Sequence, residues 1–246
     1  MEPIFRQIHK IEDIHLDCFG RVKPSVLLYF AQEAAGQHCN LLGTDWDTLA
    51  QQQLFWAVTR HRVQITRLPT RGETVTVETW PMPTTRVAYP RSTVCYDSNG
   101  NELFRMISLW VLMNTQTRAM VLPGKSGITV TGTLRGNELA APGSLVPRPL
   151  PNTAIRTVGY TELDRNGHMN NTRYMDWVDD LLPSAFHGAH PAREFSVCYL
   201  SEAREQQQIE LTWELSEGPV LQVDARRKET SVDAGQSRVF TVQVLF

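Results

Sequence analysis

The sequence predicts an α+β protein built twice over, each half a long amphipathic helix laid against an antiparallel sheet. Three observations predict it. A helical stretch is followed by runs rich in Val, Ile, Thr and aromatics, the same order returns late in the chain, and a proline-rich strap separates the two.

In the first half, Pro24 suits a first helical turn, and Val26, Leu27, Phe30, Ala34 and Leu41 recur at helical spacing. Strands are expected at 54–68, 74–81, 86–96, 103–114 and 118–122, where TVTVETW alternates as a half-buried strand should. Pro69-Thr70-Arg71-Gly72 and Asp97-Ser98-Asn99-Gly100 supply turns, the second suited to a hairpin. The strap is 136–152, GNELAAPGSLVPRPLPN, whose four prolines hold the backbone extended. It divides the chain into domains at 1–135 and 153–246.

In the second half, a strand is expected at 155–161 and a helix at 171–182. Tyr174, Trp177, Val178 and Leu181 share one helix face, Asn170 or Asn171 serves as cap, and Pro183 is the stop. Strands follow at 194–200, 207–215, 221–229 and 238–245. The halves align by hand. Asp17-Cys18-Phe19-Gly20-Arg21 lies 147 residues before Asp164-Arg165-Asn166-Gly167-His168, and 63–80 parallels 197–214 at an offset of 134. Phe19 then stands where Asn166 is, Arg21 where His168 is, and Leu68 where Glu202 is. Polar groups able to do chemistry belong to the second copy.

The bulk numbers narrow the function. Lys and Arg total 24 against 26 Asp and Glu, so net charge −2 gives no electrostatic argument for nucleic acid or an anionic membrane. The charged N-terminus lacks the apolar core of an export signal, and no run approaches the ~20 apolar residues of a membrane helix; the expected setting is cytoplasmic. Cys18, Cys39, Cys95 and Cys198 are scattered without zinc spacing, as free thiols in a reducing compartment would be. His187 and His190 have no third ligand nearby in sequence, so no metal is expected.

Asp164, Asn166 and His168 sit at alternate positions just before the second helix. In an extended segment they would share one side, and the helix start would aim backbone N–H groups at the same place. A carbonyl becoming an oxyanion needs such donors, and a histidine titrates where proton transfer near neutrality requires. Glu202 closes FSVCYLSE, where a carboxylate could complete a water-activating set. Most D-x-N-x-H strings are plain polar turns, and these residues alone leave that reading open.

LDRNGHMNNTRYMDWV (163–178) resembles the signature of acyl-acyl carrier protein thioesterases, plant and bacterial enzymes that terminate fatty-acid synthesis. LLYFAQEAAGQHCNLLG (27–43), LFWAVTRHRVQITRLPTRGETVTVETWP (54–81), SLWVLMNTQTRAMVLP (108–123) and YLSEA (199–203) resemble the same family, in order along the chain. The resemblance implies a tandem (double) hot-dog fold, with acyl-chain selection in a non-catalytic N-terminal repeat and the active site in the C-terminal one. It places the family's catalytic Asp, Asn and His on Asp164, Asn166 and His168, and its catalytic Glu on Glu202. Trp56 and Trp110 would line the acyl pocket by analogy. The cysteine that follows this Glu in the plant enzymes is Ala203 here, which excludes a papain-like scheme at that position. The stretch REQQQIEL lacks the glycine-aspartate turn usual there, leaving the register beyond Ala203 open.

The implied partner is acyl-loaded acyl carrier protein, whose phosphopantetheine arrives with the substrate, so no separate cofactor is expected. Dimerisation of the whole chain is an expectation by analogy. The rivals are a hot-dog acyl-CoA thioesterase and a catalytically silent acyl-binding protein; the four polar residues favour an enzyme over the latter.

Overall fold

The computed structural model describes residues 3–136, 138–146, 148–228 and 238–246. It divides into two compact units, Met1–Pro142 and Gly143–Phe246, with the boundary inside the proline-rich strap. Residues 137, 147 and 229 of the predicted strap and strands lie outside the described residues.

The first unit contains β1 (Phe5–Lys10), α1 (Pro24–Leu42), α2 (Trp46–Gln51), β2 (Leu54–Ile65), β3 (Thr74–Pro81), β4 (Tyr89–Tyr96), β5 (Glu102–Asn114), β6 (Met120–Val121) and α3 (Pro123–Ser126). Its antiparallel sheet runs β1-β3-β4-β5-β2, with β6 on β5. Pro24 opens α1 and Gly43 closes it in the left-handed region at φ +68°, the usual helix stop. Leu27, Leu28, Phe30, Ala31, Ala34 and Ala35 bury one face of α1, which packs on β3 and β1. Leu41, assigned to that stripe by its spacing, is exposed instead.

The second unit repeats the order with β7 (Asn152–Thr157), α4 (Arg173–Asp179), α5 (Ser184–Ala189), β8 (Glu194–Tyr199), β9 (Gln208–Ser216), β10 (Val220–Arg227) and β11 (Arg238–Leu245). Its sheet runs β8-β11-β10-β9-β7, all antiparallel. Phe195, Val197, Ile209, Leu211, Leu221, Val223, Phe240 and Val242 are buried with Tyr174, Met175, Trp177 and Val178 of α4. Each such large apolar side chain contributes about 1.5–3 kcal/mol on burial.

The repeated helix-and-sheet plan is the one the sequence predicts, with two differences. The second helix is shorter than the expected 171–182: α4 ends at Asp179, and the chain tightens, Leu181 N donating to Val178 O and Leu182 N to Asp179 O. Pro183 disfavours helix at Leu182 and lacks the N–H that would continue it, so a separate helix starts there. The first unit also gains an early strand, and the strand expected at 155–161 runs earlier, over Asn152–Thr157. β1 has half-buried and exposed residues in alternation, with no fully buried one, and β7 begins at Asn152, inside the expected strap. Among the described residues no helix is long and apolar enough to cross a membrane.

Candidate active site

The turn carrying Asp164, Asn166 and His168 is a hydrogen-bonded corner, and the first unit contains the same corner. Asp164 N donates to His168 O (2.7 Å) and Gly167 N to Asp164 O (3.0 Å), matching Asp17 N to Arg21 O (2.7 Å) and Gly20 N to Asp17 O (3.1 Å). Gly167 and Gly20 both sit at φ +75°, where a side chain would be strained. The expected strand-like alternation therefore gives way to a turn. Asp164 Oδ1 accepts from Asn166 N (2.7 Å) and His168 N (3.4 Å), and its Oδ2 accepts from Asn166 Nδ2 at 3.4 Å. A carboxylate so engaged orients the loop.

A second chain crossing brings Glu202 to this corner. Met169 N donates to Ala203 O at 2.8 Å, and His168 bridges Arg204 in antiparallel fashion. The first unit has Val22 N on Pro69 O at 2.9 Å and a bridge from Arg21 to Thr70. The register left open beyond Ala203 is thereby fixed at the same offset. Gln206 N donates to Val158 O (2.9 Å) as Gly72 N does to Ile11 O (3.0 Å). Gln206 takes φ +67° where Gly72 takes +81°, so the turn survives without its glycine at a cost of about 1 kcal/mol.

The outcome is a contact of 3.1 Å between His168 Nε2 and Glu202 Oε2. The imidazole is largely buried and the carboxylate about one-third exposed, so the pair meets both the interior and solvent. In the first unit Leu68 occupies the Glu202 place, and Arg21 turns back onto its own Asp17 at 3.1 Å. An imidazole hydrogen-bonded to a carboxylate can take a proton from water near neutrality, and the Asn166 amide can donate to a carbonyl oxygen.

Beneath the corner lies Tyr174, read from the sequence as one of an apolar face. Burial holds its phenol well above the usual range, with the Asp164 and Glu202 charges adding to the effect and Arg227 opposing it. It stays a neutral hydroxyl. Leu27 is its counterpart in the first unit, a difference that comparing the two copies exposes. The helix start contributes less than expected: α4 is seven residues long, Thr172 N is taken by Asn170 Oδ1 (3.0 Å) and Arg173 N by Asn170 O (3.0 Å).

The remaining candidates separate from this set. Trp56 donates from its indole to Thr44 O at 2.9 Å and meets Tyr89 edge-on at 4.9 Å. With Trp110 it borders a small apolar cluster of Leu49, Leu54, Tyr89 and Leu112 in the first unit. Cys198 is buried in β8 with Sγ towards Gly143 O at 3.7 Å. His187 and His190 bond to the Asp179 and Phe186 carbonyls. Among the described residues no three His, Cys, Asp or Glu side chains gather closely enough to hold a metal ion.

Known proteins match both units of the chain. The family model for the acyl-ACP thioesterase N-terminal domain matches residues 2–122, and that for the C-terminal domain matches 152–238. The chain belongs to the acyl-ACP thioesterase family. Among curated family members, the chloroplastic palmitoyl-acyl carrier protein thioesterase of Cuphea hookeriana is 26% identical over 198 residues, covering 73% of this chain and 47% of its own. The chloroplastic dodecanoyl-[acyl-carrier-protein] hydrolase of Umbellularia californica is 27% identical over 228 residues, covering 81% and 56%. The chain thus spans about half the length of the curated relatives it matches. Two solved structures share the fold over nearly all of both chains. An acyl-ACP thioesterase from Bacteroides thetaiotaomicron superposes with TM-score 0.84 at 24% identity, covering 99% of this chain and 98% of that one. The 12:0-ACP thioesterase from Umbellularia californica gives 0.83 at 23%, covering 100% and 97%. Each acyl-ACP thioesterase unit here is accordingly a hot-dog, helix against curved sheet.

Proposed function

We propose that the chain hydrolyses the thioester of fatty acyl-acyl carrier protein, releasing free fatty acid and ending chain growth. The observation that carries this reading is the His168–Glu202 contact beside Asn166, in a corner whose twin has lost all three groups. The names of the relatives, palmitoyl-acyl carrier protein thioesterase and dodecanoyl-[acyl-carrier-protein] hydrolase, support it.

In this scheme the Asn166 amide donates to the thioester carbonyl oxygen and strengthens its hold as negative charge develops there. His168, backed by Glu202, takes a proton from water as its oxygen attacks the carbonyl carbon. When the carbon–sulfur bond breaks, the same proton passes to the departing pantetheine sulfur. Asp164 keeps Asn166 and His168 in place. The scheme uses no metal or dissociable cofactor. Trp56 and Trp110 would border the acyl chain in the first unit, and a cytoplasmic setting belongs to the same proposal, although the curated relatives are named as chloroplastic.

The deciding experiment compares turnover of acyl carrier protein and CoA thioesters of one chain length. Preference for the carrier-protein thioester, falling as salt rises while a short neutral thioester changes little, is the expected result. Equal turnover on both carriers with equal salt response points to the acyl-CoA rival, and no turnover on any thioester to the silent binding protein.

A further inference from the structure

Glu202 is half-buried and reaches His168 through a side chain with three rotatable bonds, so its approach depends on how its backbone is held. Ala203 O is fixed by Met169 N. Glu202 O is fixed by a residue remote in sequence: Arg227 Nη2, at the end of β10, donates to it at 2.9 Å and reaches Ser201 Oγ at 3.4 Å. Ser201 Oγ in turn donates to Arg238 O at 2.8 Å, and Leu200 N and Ser201 N both donate to Val239 O. One guanidinium nitrogen thus reaches two neighbouring acceptors, and a charged donor so placed holds the Glu202 carbonyl in position.

The first unit shows what the corner does without this clamp. Tyr96 and Arg226 occupy equivalent places, each just past a bulge, at Cys95/Tyr96 and Ala225/Arg226. The next residues are Asp97 and Arg227. Asp97 caps its own hairpin, accepting from Asn99 N (2.9 Å) and Asn101 N (2.8 Å). The carbonyl of Leu68, which stands for Glu202, is met by the adjacent Arg67 at 3.4 Å. The long-range clamp accompanies the His–Glu pair and is replaced by an acidic residue where that pair is missing.

We infer that Arg227 is a positioning residue, which by gripping the Glu202 carbonyl sets the Glu202 carboxylate against His168 Nε2. Its kinetic consequence rests on the hydrolytic reading above; its positional claim does not.

The test uses the full chain with Arg227→Ala, Arg227→Lys and Glu202→Gln. Kinetics on a short neutral thioester are paired with the ring-nitrogen NMR signals of His168 at fixed pH. Arg227→Ala should lower kcat by about 10- to 10²-fold with KM nearly unchanged, the scale expected when a reacting group is misplaced by about 1 Å. Added guanidinium ion should restore part of that loss. The His168 signals should move to their positions in Glu202→Gln. Arg227→Lys keeps the charge but is shorter and lacks the planar guanidinium, and should fall between; it replaces Arg227→Ala if that variant fails to fold. Unmoved His168 signals overturn the inference whatever the kinetics, as does a loss carried by KM. If the wild type cleaves no thioester, the hydrolytic reading fails, while the His168 signals still decide the positioning claim.

Discussion

Asp164 and Asp17 do the same work 147 residues apart, each accepting the amides two and four residues ahead of it in a corner closed by a left-handed glycine. Since the first unit keeps this carboxylate without the Asn–His–Glu set, its basic duty is to shape the turn. Asp164→Asn, which retains the acceptor oxygen, should keep most of kcat. Asp164→Ala should lose about 10²-fold in kcat and about 1–2 kcal/mol in stability. Asp17→Ala should show a similar stability loss in urea unfolding with kcat near wild type. Equal damage to kcat from Asp164→Asn and Asp164→Ala would instead give Asp164 a share in proton transfer.

His168 and Glu202 touch, so they should fail together. His168→Ala and Glu202→Ala are each expected to lower kcat by at least about 10²-fold, and Asn166→Ala by about 10²-fold. The His168→Ala/Glu202→Ala double variant should lose far less than the product of the single losses. Cys198→Ala should remain active, its thiol being buried in β8 against a carbonyl. An inactive Cys198→Ala beside an active Glu202→Ala, measured by thiol release, would reopen a thiol mechanism.

His61 predicts how the fold responds to acid. Complete burial beside Ser108 Oγ at 2.9 Å drives its imidazole down to about 3, so it stays neutral in the native state. The unfolded chain protonates this group near pH 6.5, and native stability should fall as pH drops from about 6.5 towards 3. The contribution approaches about 1.4 kcal/mol per pH unit within that window. His61→Gln should flatten the dependence, seen as urea midpoints that converge on or overtake wild type between pH 7 and pH 5. Parallel midpoints would show that His61 is not responsible.

Gly132 has no room for a side chain. A Cβ there would lie 2.2 Å from the Met82 carbonyl carbon and the Pro83 nitrogen, both backbone atoms. The segment is pinned beside them by Thr133 N on Pro81 O and Met82 N on Pro90 O, each 2.9 Å. Gly132→Ala should therefore destabilise by about 1–3 kcal/mol in urea unfolding, with the KM of a short thioester little changed. An unaltered midpoint would mean that the segment moves aside freely.

The duplication was legible because turn residues repeat when backbone corners repeat: Asp17 and Gly20 keep the spacing of Asp164 and Gly167, while Leu68 and Glu202 lie in a second aligned segment with its own offset. β1 was not, since Phe5–Lys10 contains no fully buried residue and its pattern is weak. The shortened α4 was legible only in Pro183; the apolar spacing of Leu181 and Leu182 argued for continuing the helix. Among the site residues, Asn166, His168 and Glu202 were singled out by their chemistry and the family resemblance together. Tyr174 was hidden by its aromatic ring among core neighbours. Arg227 was hidden because its place depends on a bulge at Ala225/Arg226, which shifts the strand by a residue and has no signature in the sequence.

The corner at Asp17 is cast from the same mould as the one that brings His168 and Glu202 together. Its glycine, its bracing carboxylate and its crossing strand are all in place; what differs is the furniture. Phe19→Asn, Arg21→His and Leu68→Glu would furnish it, leaving Asp97 in the place of the Arg227 clamp. Within one molecule, then, one backbone corner carries two different sets of side chains, and only one of them fits the proposed chemistry.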